Sequence, residues 1–327
     1  MRQEKLGFGV IFRVLISLLP ILFEAPILAT IMCAYNISMS FIVFGPLTAF
    51  VSSLSSICIA MFLGGTFGAN GELAGFVLSV QAVLVSAGCI YGYLYKKRFS
   101  LGLALSTAGI LIPQFLYIQH IASNEGLSIA QSIVPSVQDL VPIMTDTFTD
   151  MQVVVSVPEI YEIAVLVNKF AAILLPSIFI ITSMVLAYII IWTVSVQLRK
   201  LPIGTYHSFS LIKTPVVMSI VTVLSFIALR VIGYMNVSYE VVSVIMNMFV
   251  ILFFIHLFAG ISVADFYLRR KVKHGFLRAI IHVSLIVFIP IAVIAYAILA
   301  CIDSFANFRK ITPAVPVKEG EIDETKK

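Results

Sequence analysis

From Leu6 to Tyr95 the chain is almost continuously apolar, with Arg13, Glu24 and Glu72 as its only charges. That run is several times the roughly 20 residues that cross a bilayer as one helix. Helix breakers divide it at Glu24-Ala25-Pro26, at Gly45-Pro46 and at the glycine-rich stretch 64–71. The division predicts segments near 7–23, 27–44, 47–64 and 73–95, the first two short for full spans. Further apolar segments lie near 100–121, 166–197, 214–234, 240–268 and 279–302. These runs are too long for barrel strands and do not alternate apolar with polar. The pattern predicts an all-α, polytopic transmembrane helical bundle of nine spans, or eight if 279–302 does not cross. The run at 7–23 leads through Glu24 and Pro26 into another apolar segment, so it reads as a span rather than a cleaved leader.

Composition supports the same class. Charged residues make up 11% of the 327 and hydrophobic residues 60%, with a mean hydropathy of +1.08. A soluble chain of this balance would expose large apolar patches, and an ordinary soluble domain is about 25% charged. A soluble globular enzyme, a disordered chain and a disulfide scaffold are excluded. The four cysteines (Cys33, Cys58, Cys89 and Cys301) fall in apolar runs without C-x-x-C spacing and read as small buried hydrophobes.

The charges map the topology. Lys96-Lys97-Arg98, Arg199-Lys200 with Lys213, and Arg269-Arg270-Lys271 with Lys273 and Arg278 are separated by two spans each. They can therefore share the cytoplasmic side, as membrane proteins arrange Lys and Arg. The loop from Ile121 to Tyr161 carries five acids and no Lys or Arg, and is expected outside. Its apolar positions recur at helical spacing, which predicts short amphipathic helices on the outer surface. The net charge of +5 follows from these basic loops and implies no nucleic-acid partner. The organisation expected is an integral membrane domain over 1–311. Its six-span part covers 1–198, with the outer loop at 122–165, and additional spans fill 199–311. A disordered charged tail follows at 312–327.

Chemistry is sparse. There is no G-x-x-x-x-G-K-[ST], no H-E-x-x-H and no G-x-S-x-G, and the five histidines lack ligand spacing. The chain is expected to be non-enzymatic, without cofactor or metal. What remains are polar groups inside apolar runs, which cost free energy in lipid unless they face protein or water. Asp265 and Arg269, four apart, suggest an ion pair on one helix face. Arg230 lies where it can snorkel to the outer boundary. Gln81, Gln114, Asn247 and His256 sit deeper. They read either as interhelical hydrogen-bond partners or as a site. In the second reading Gln81 and Gln114 line an outward-facing, substrate-binding pocket with Glu24 and Lys169 at its rim. Gly88-x-x-x-Gly92 is a small-residue pair for close helix packing.

Certain stretches resemble known families. Leu174-Leu175-Pro176 opening a long span, the loop from Phe209 to Pro215, and Asn247 are the first three. His256-Leu257-Phe258-Ala259-Gly260-Ile261-Ser262 and the closing Asp303-Ser304-Phe305-Ala306-Asn307-Phe308-Arg309-Lys310 complete the set. Together they resemble the YybS-like family of bacterial multi-pass membrane proteins, which implies a bacterial plasma-membrane location. Gly88-Cys89-Ile90-Tyr91-Gly92 followed by Lys96-Lys97 is similar to the fourth helix of the substrate-binding (S) subunits of energy-coupling-factor transporters. That resemblance implies six helices, a pocket near the outer face, and a membrane coupling subunit with ATPases as partner. Those subunits carry Ala-x-x-x-Ala on the first helix, where this chain has Gly9 and Arg13.

Two functions follow as expectations. The first is small-molecule binding or transport without an ATPase of its own. The second is a scaffold or regulatory protein of the cell envelope acting through partner contacts, suggested by the additional spans and basic loops.

Overall fold

The structure is a computed structural model that describes residues 13–18, 20, 25–67, 71–95, 99–153, 155–198, 209, 212–235 and 237–310. Among these residues all regular structure is helical. In chain order the helices are α1 (Pro26–Phe44), α2 (Pro46–Gly64), α3 (Gly71–Gly88, continued by a π-helical stretch Cys89–Tyr95) and α4 (Phe99–Asn124). Then come α5 (Ile129–Ile133), α6 (Val137–Asp150), α7 (Val157–Leu198), α8 (Val216–Ile232), α9 (Tyr239–Leu268), α10 (Gly275–Phe288) and α11 (Ile291–Ala306).

Six of these are long and apolar enough to cross a membrane: α1, α2, α3, α4, α7 and α9; the bent pair α10 and α11 makes at most a seventh. The class is therefore the expected transmembrane bundle, with fewer spans among the described residues than the eight or nine predicted. Three differences account for the number. The segment at 7–23 is described only at 13–18 and 20. At 17 residues, α8 reaches about 25 Å, short of the roughly 30 Å core. The segment at 279–302 is broken at Ile289-Pro290, where the chain turns by 118°. The basic clusters at 96–98 and 199–200 and the tail at 312–327 lie outside the described residues.

Local sequence explains the helix starts. Pro26 and Pro46 each occupy the first position of a helix, where the missing N–H costs nothing and φ is preset. Gly45 joins α1 to α2 with φ +92°, a conformation glycine adopts without penalty. Between α4 and α7, three helices begin alike. Gln131, Asp139 and Glu159 each accept a hydrogen bond from the backbone N–H of the serine three residues earlier, Ser128, Ser136 and Ser156. The Ser128 and Ser136 hydroxyls accept in return from the backbone of Gln131 and Asp139. Such reciprocal capping boxes define helix starts. They show why the acidic loop contains α5 and α6, and why α7 starts at Val157 rather than near 166. With 42 residues, α7 is roughly 63 Å long, about twice the hydrocarbon thickness.

The chain divides into two compact units, residues 1–207 with 232–251 and residues 208–231 with 252–327. In the first, α1 to α4 pack on one another and α7 backs α1 and α4. Its core is built from small residues, Ala29, Cys33, Ala34, Ala60 and Ala82 among them, with Ile37, Val85 and Ile190. This is how membrane helices gain contact where lipid supplies no hydrophobic drive. Gly88 and Gly92 belong to this packing. A Cβ on Gly88 would stand 2.7 Å from the Ser106 backbone nitrogen, and one on Gly92 would strike the backbone of Gly102. The pair thus sets the closeness of α3 to α4. The second unit holds α8, the last part of α9, α10 and α11.

Candidate functional site

At the end of the first unit where α3 begins and α4 ends, the small-residue packing opens into a cavity of about 500 Å³. Its wall comprises Pro26, Ile27 and Thr30 of α1, Gly64 of α2, Gly71, Ala74, Gly75, Val77, Leu78 and Gln81 of α3, Ile110, Gln114 and Tyr117 of α4, and Leu186 of α7. Both predicted amides are in that wall. Gln81 is ten residues past Gly71 and Gln114 ten before Asn124, so both sit roughly 15 Å from their helix ends. In the sequence, the basic cluster at 96–98 follows the opposite end of α3.

The wall is mostly apolar; its polar side chains are Thr30, Gln81, Gln114 and Tyr117. The described lining residues carry no charge. Gln81 Nε2 donates to the Ile110 carbonyl at 3.1 Å, three residues before Pro113, the proline inside α4. That bond fixes the amide against α4. Among the described residues none hydrogen-bonds the Gln114 carboxamide, which lines the cavity. Thr30 is committed, its hydroxyl donating to the Pro26 carbonyl at 3.0 Å. Small residues leave the void: a Cβ on Gly75 would strike the Ala60 carbonyl, so α3 lies against α2 there.

The two rim residues are not brought to this wall. Lys169 is on the exposed surface of α7, its Nζ 5.9 Å from the Tyr239 ring, a cation–π distance. Lys169 lies 29 residues before Leu198, the end of α7, roughly 44 Å along the helix and beyond a single hydrocarbon thickness. Glu24 lies outside the described residues.

Asn247 serves a different purpose. Its Oδ1 accepts from the Ser177 backbone N–H at 3.0 Å and from the Ser177 hydroxyl, while Nδ2 donates to Ile173 O at 2.7 Å and Ser243 O at 2.8 Å. Ile173 and Ser177 are one rung of α7 beside Pro176, the proline inside that helix. The carboxamide is inserted across that rung and satisfies both sides of it.

His256 anchors a buried polar chain in the second unit. Its Nδ1 donates to the Leu252 carbonyl at 2.8 Å, which leaves Nε2 to accept from the Ser219 hydroxyl at 2.9 Å. The Ser304 hydroxyl in turn donates to Ser219 at 2.7 Å. Serine and histidine at this distance match a nucleophile and its base. Here all three side chains are sealed and paired with one another, the arrangement of a packed polar core.

The ion pairs differ from expectation. Asp265 pairs with Arg278, Nε to Oδ1 at 2.6 Å, instead of with Arg269 four residues on. Arg278 is held for this by accepting groups at the Val272 and Lys273 carbonyls, which a rule based on helix spacing does not see. Arg309 and Asp303 form a second pair, 2.8 Å apart and fully buried. In the sequence Arg309 stands out only within the closing run Asp303–Lys310 that carries the YybS-like resemblance. The available signal was an acid six residues before an arginine across Asn307, whose φ of 47° turns the chain back on itself.

The bundle of long apolar helices defines a polytopic helical membrane protein. Residues 10–304 match the predicted membrane protein family DUF2232, and the chain belongs to that family. No curated protein and no solved structure matches it.

Proposed function

We propose that this protein binds a small, uncharged and largely apolar molecule in the cavity between α1, α3 and α4, as a binding or transport-related component of the bacterial plasma membrane without enzymatic activity of its own. The observation that carries the reading is the pairing of Gln81 and Gln114 in the wall of a 500 Å³ void. A volume of that order suits a small ligand, and such sites are mostly apolar with few placed polar groups. An uncharged wall favours an uncharged cargo, since a buried ion needs a paired charge. Energy from ATP would reach the protein through a membrane coupling subunit, as the likeness to energy-coupling-factor S subunits suggests; the YybS-like resemblance is compatible with this role.

The test is purification in mild detergent from the native membrane, with co-purifying metabolites identified by mass spectrometry. A metabolite stoichiometric with the wild type and lost from the Gln81→Leu/Gln114→Leu variant supports the reading. A metabolite retained equally by both, or none at all, overturns it.

A second reading is an envelope scaffold. It is favoured by α6, which packs along α7 yet leaves Ile143 exposed beside Asp139 and Asp146. Stable recovery of envelope proteins with no metabolite, lost on deleting residues 129–150, would favour it.

A further inference from the structure

An apolar run with no charge between Arg278 and Asp303 reads as one crossing, yet the chain turns by 118° between α10 and α11. A break of that size produces either a kinked helix that still crosses or a hairpin that returns to the face it entered. Partners along α9 separate the two. With 30 residues, α9 is roughly 45 Å long, so its ends lie on opposite sides of the hydrocarbon core. A crossing segment would end beside Tyr239, and a returning one beside Leu268.

The partners lie at the Leu268 end. On entry, Arg278 in the first turn of α10 pairs with Asp265. Midway, the Tyr296 backbone lies against Gly260, where any Cβ would strike its carbonyl, and the Tyr296 hydroxyl meets His282 Nδ1 at 2.9 Å. On exit, Arg309 Nη1 donates to the Ser262 hydroxyl at 2.9 Å, and the Phe308 carbonyl accepts from the Tyr267 hydroxyl at 3.3 Å. Arg309 Nη2 also donates to the Ile212 carbonyl at 2.8 Å, ahead of α8. The tip satisfies its own backbone: Ile289 N–H donates to Leu285 O, Ala292 N–H to Ile289 O, and Val293 N–H to Pro290 O. Irregular backbone at membrane depth requires such internal pairing.

We propose that residues 275–310 form a re-entrant hairpin that enters and leaves the membrane at the face carrying the basic turn 269–273, with Arg309 as the clamp on its return limb. Asn307 and Lys310, both left-handed (φ 47° and 51°), bracket Arg309 and turn it inward onto Asp303. A buried arginine of this kind stays only while its carboxylate is present. The hairpin places Lys310 on the same side as Arg269, Arg270, Lys271 and Lys273. It thereby removes the conflict with the distribution of Lys and Arg that a ninth crossing would create.

The test uses the full chain with its four cysteines replaced by alanine and single cysteines introduced by Lys271→Cys, Lys310→Cys and Tyr234→Cys. The last lies in the turn before α9. A membrane-impermeant maleimide is applied to right-side-out and inverted vesicles. Lys271→Cys and Lys310→Cys are expected to label from one side and Tyr234→Cys from the other. Labelling of Lys310→Cys together with Tyr234→Cys overturns the hairpin. An epitope tag after Lys327 in the otherwise native chain, read in the same vesicles, gives the answer without any cysteine change. The clamp is tested separately with Ser304→Cys, which is sealed beneath it. Adding Arg309→Ala is expected to raise its labelling severalfold, and unchanged protection would overturn Arg309 as the clamp.

Discussion

Two of the long apolar helices of the first unit contain an internal proline, α4 at Pro113 and α7 at Pro176, and each receives a carboxamide from a neighbouring helix. In both, the amide nitrogen donates to the carbonyl three residues before the proline, Gln81 to Ile110 and Asn247 to Ile173. Proline removes the donor to the carbonyl four residues earlier and bends the helix; each amide reaches the next carbonyl along, at the bend. The difference lies in the other half of the amide. Asn247 Oδ1 takes the Ser177 N–H and hydroxyl, closing the rung, whereas the Gln81 bond is one-sided and its side chain borders a void. One device is finished as structure, and the other is left half-open at a cavity. A polar residue in an apolar span thus declares its purpose through how completely it is paired.

The first way to break this comparison is Asn247→Leu, for which the largest effect is expected. It removes hydrogen bonds on both sides of the α7 rung and leaves the Ser177 hydroxyl only the backbone carbonyl of residue 247, at 3.1 Å. Each buried polar group left unmade costs about 1–3 kcal/mol, and re-formation of the rung recovers part of that, so a net loss of about 2 kcal/mol is expected. The readout is the unfolding midpoint in detergent, measured beside Gln81→Leu. If Asn247→Leu costs no more than Gln81→Leu, the distinction between a closed and a half-open amide fails.

Gln81→Leu sharpens the same comparison at smaller scale. It removes one interhelical hydrogen bond, and such bonds in membrane proteins contribute about 0.6 kcal/mol on average. The leucine stays at the apolar margin of the cavity, so no new polar group is buried. A loss of about 0.5–1 kcal/mol is expected in the same unfolding measurement. A loss above that of Asn247→Leu would show that Gln81 is a structural member of the bundle, with the cavity incidental to it.

Much of this was legible in the chain. Depth could be counted from the helix breakers, and that count placed Gln81 and Gln114 at one level on opposite helices. The spacing of Gly88 and Gly92 pointed to close packing, which the contact with Gly102 and Ser106 realises. Other features were not legible, for physical reasons. Hydropathy is blind to a turn whose residues are all apolar, so Ile289-Pro290 disappeared inside 279–302. Spacing rules apply within one helix, so Asp265 was matched to Arg269 when its partner Arg278 sits on the next element. Lys169 shares a helix with the cavity residue Leu186, but 17 residues separate them, and linear order does not show that they lie on different parts of a 42-residue helix. The value of Asn247 depends on Pro176, 71 residues away, and only folding brings the two together.

The smallest effect is expected at Gln114, and it is the most informative. No described residue hydrogen-bonds its carboxamide, so Gln114→Leu removes no internal bond and brings a less polar group to an apolar wall. Burying an amide without a partner is itself unfavourable by about 1–3 kcal/mol on mutational scales. Because Gln114 is only partly buried, the substitution should leave the unfolding midpoint within about 0.5 kcal/mol of the wild type or raise it slightly. A residue kept at a cost to stability is a residue kept for something else, which is the pattern expected of a binding group. The paired measurement is the unfolding midpoint together with retention of any co-purifying metabolite. A neutral midpoint with lost retention separates Gln114 from both Asn247 and Gln81 and assigns its amide to the ligand. A loss of 1 kcal/mol or more would instead mean that Gln114 is tied into the protein as Asn247 is, and the contrast between the two prolines would collapse.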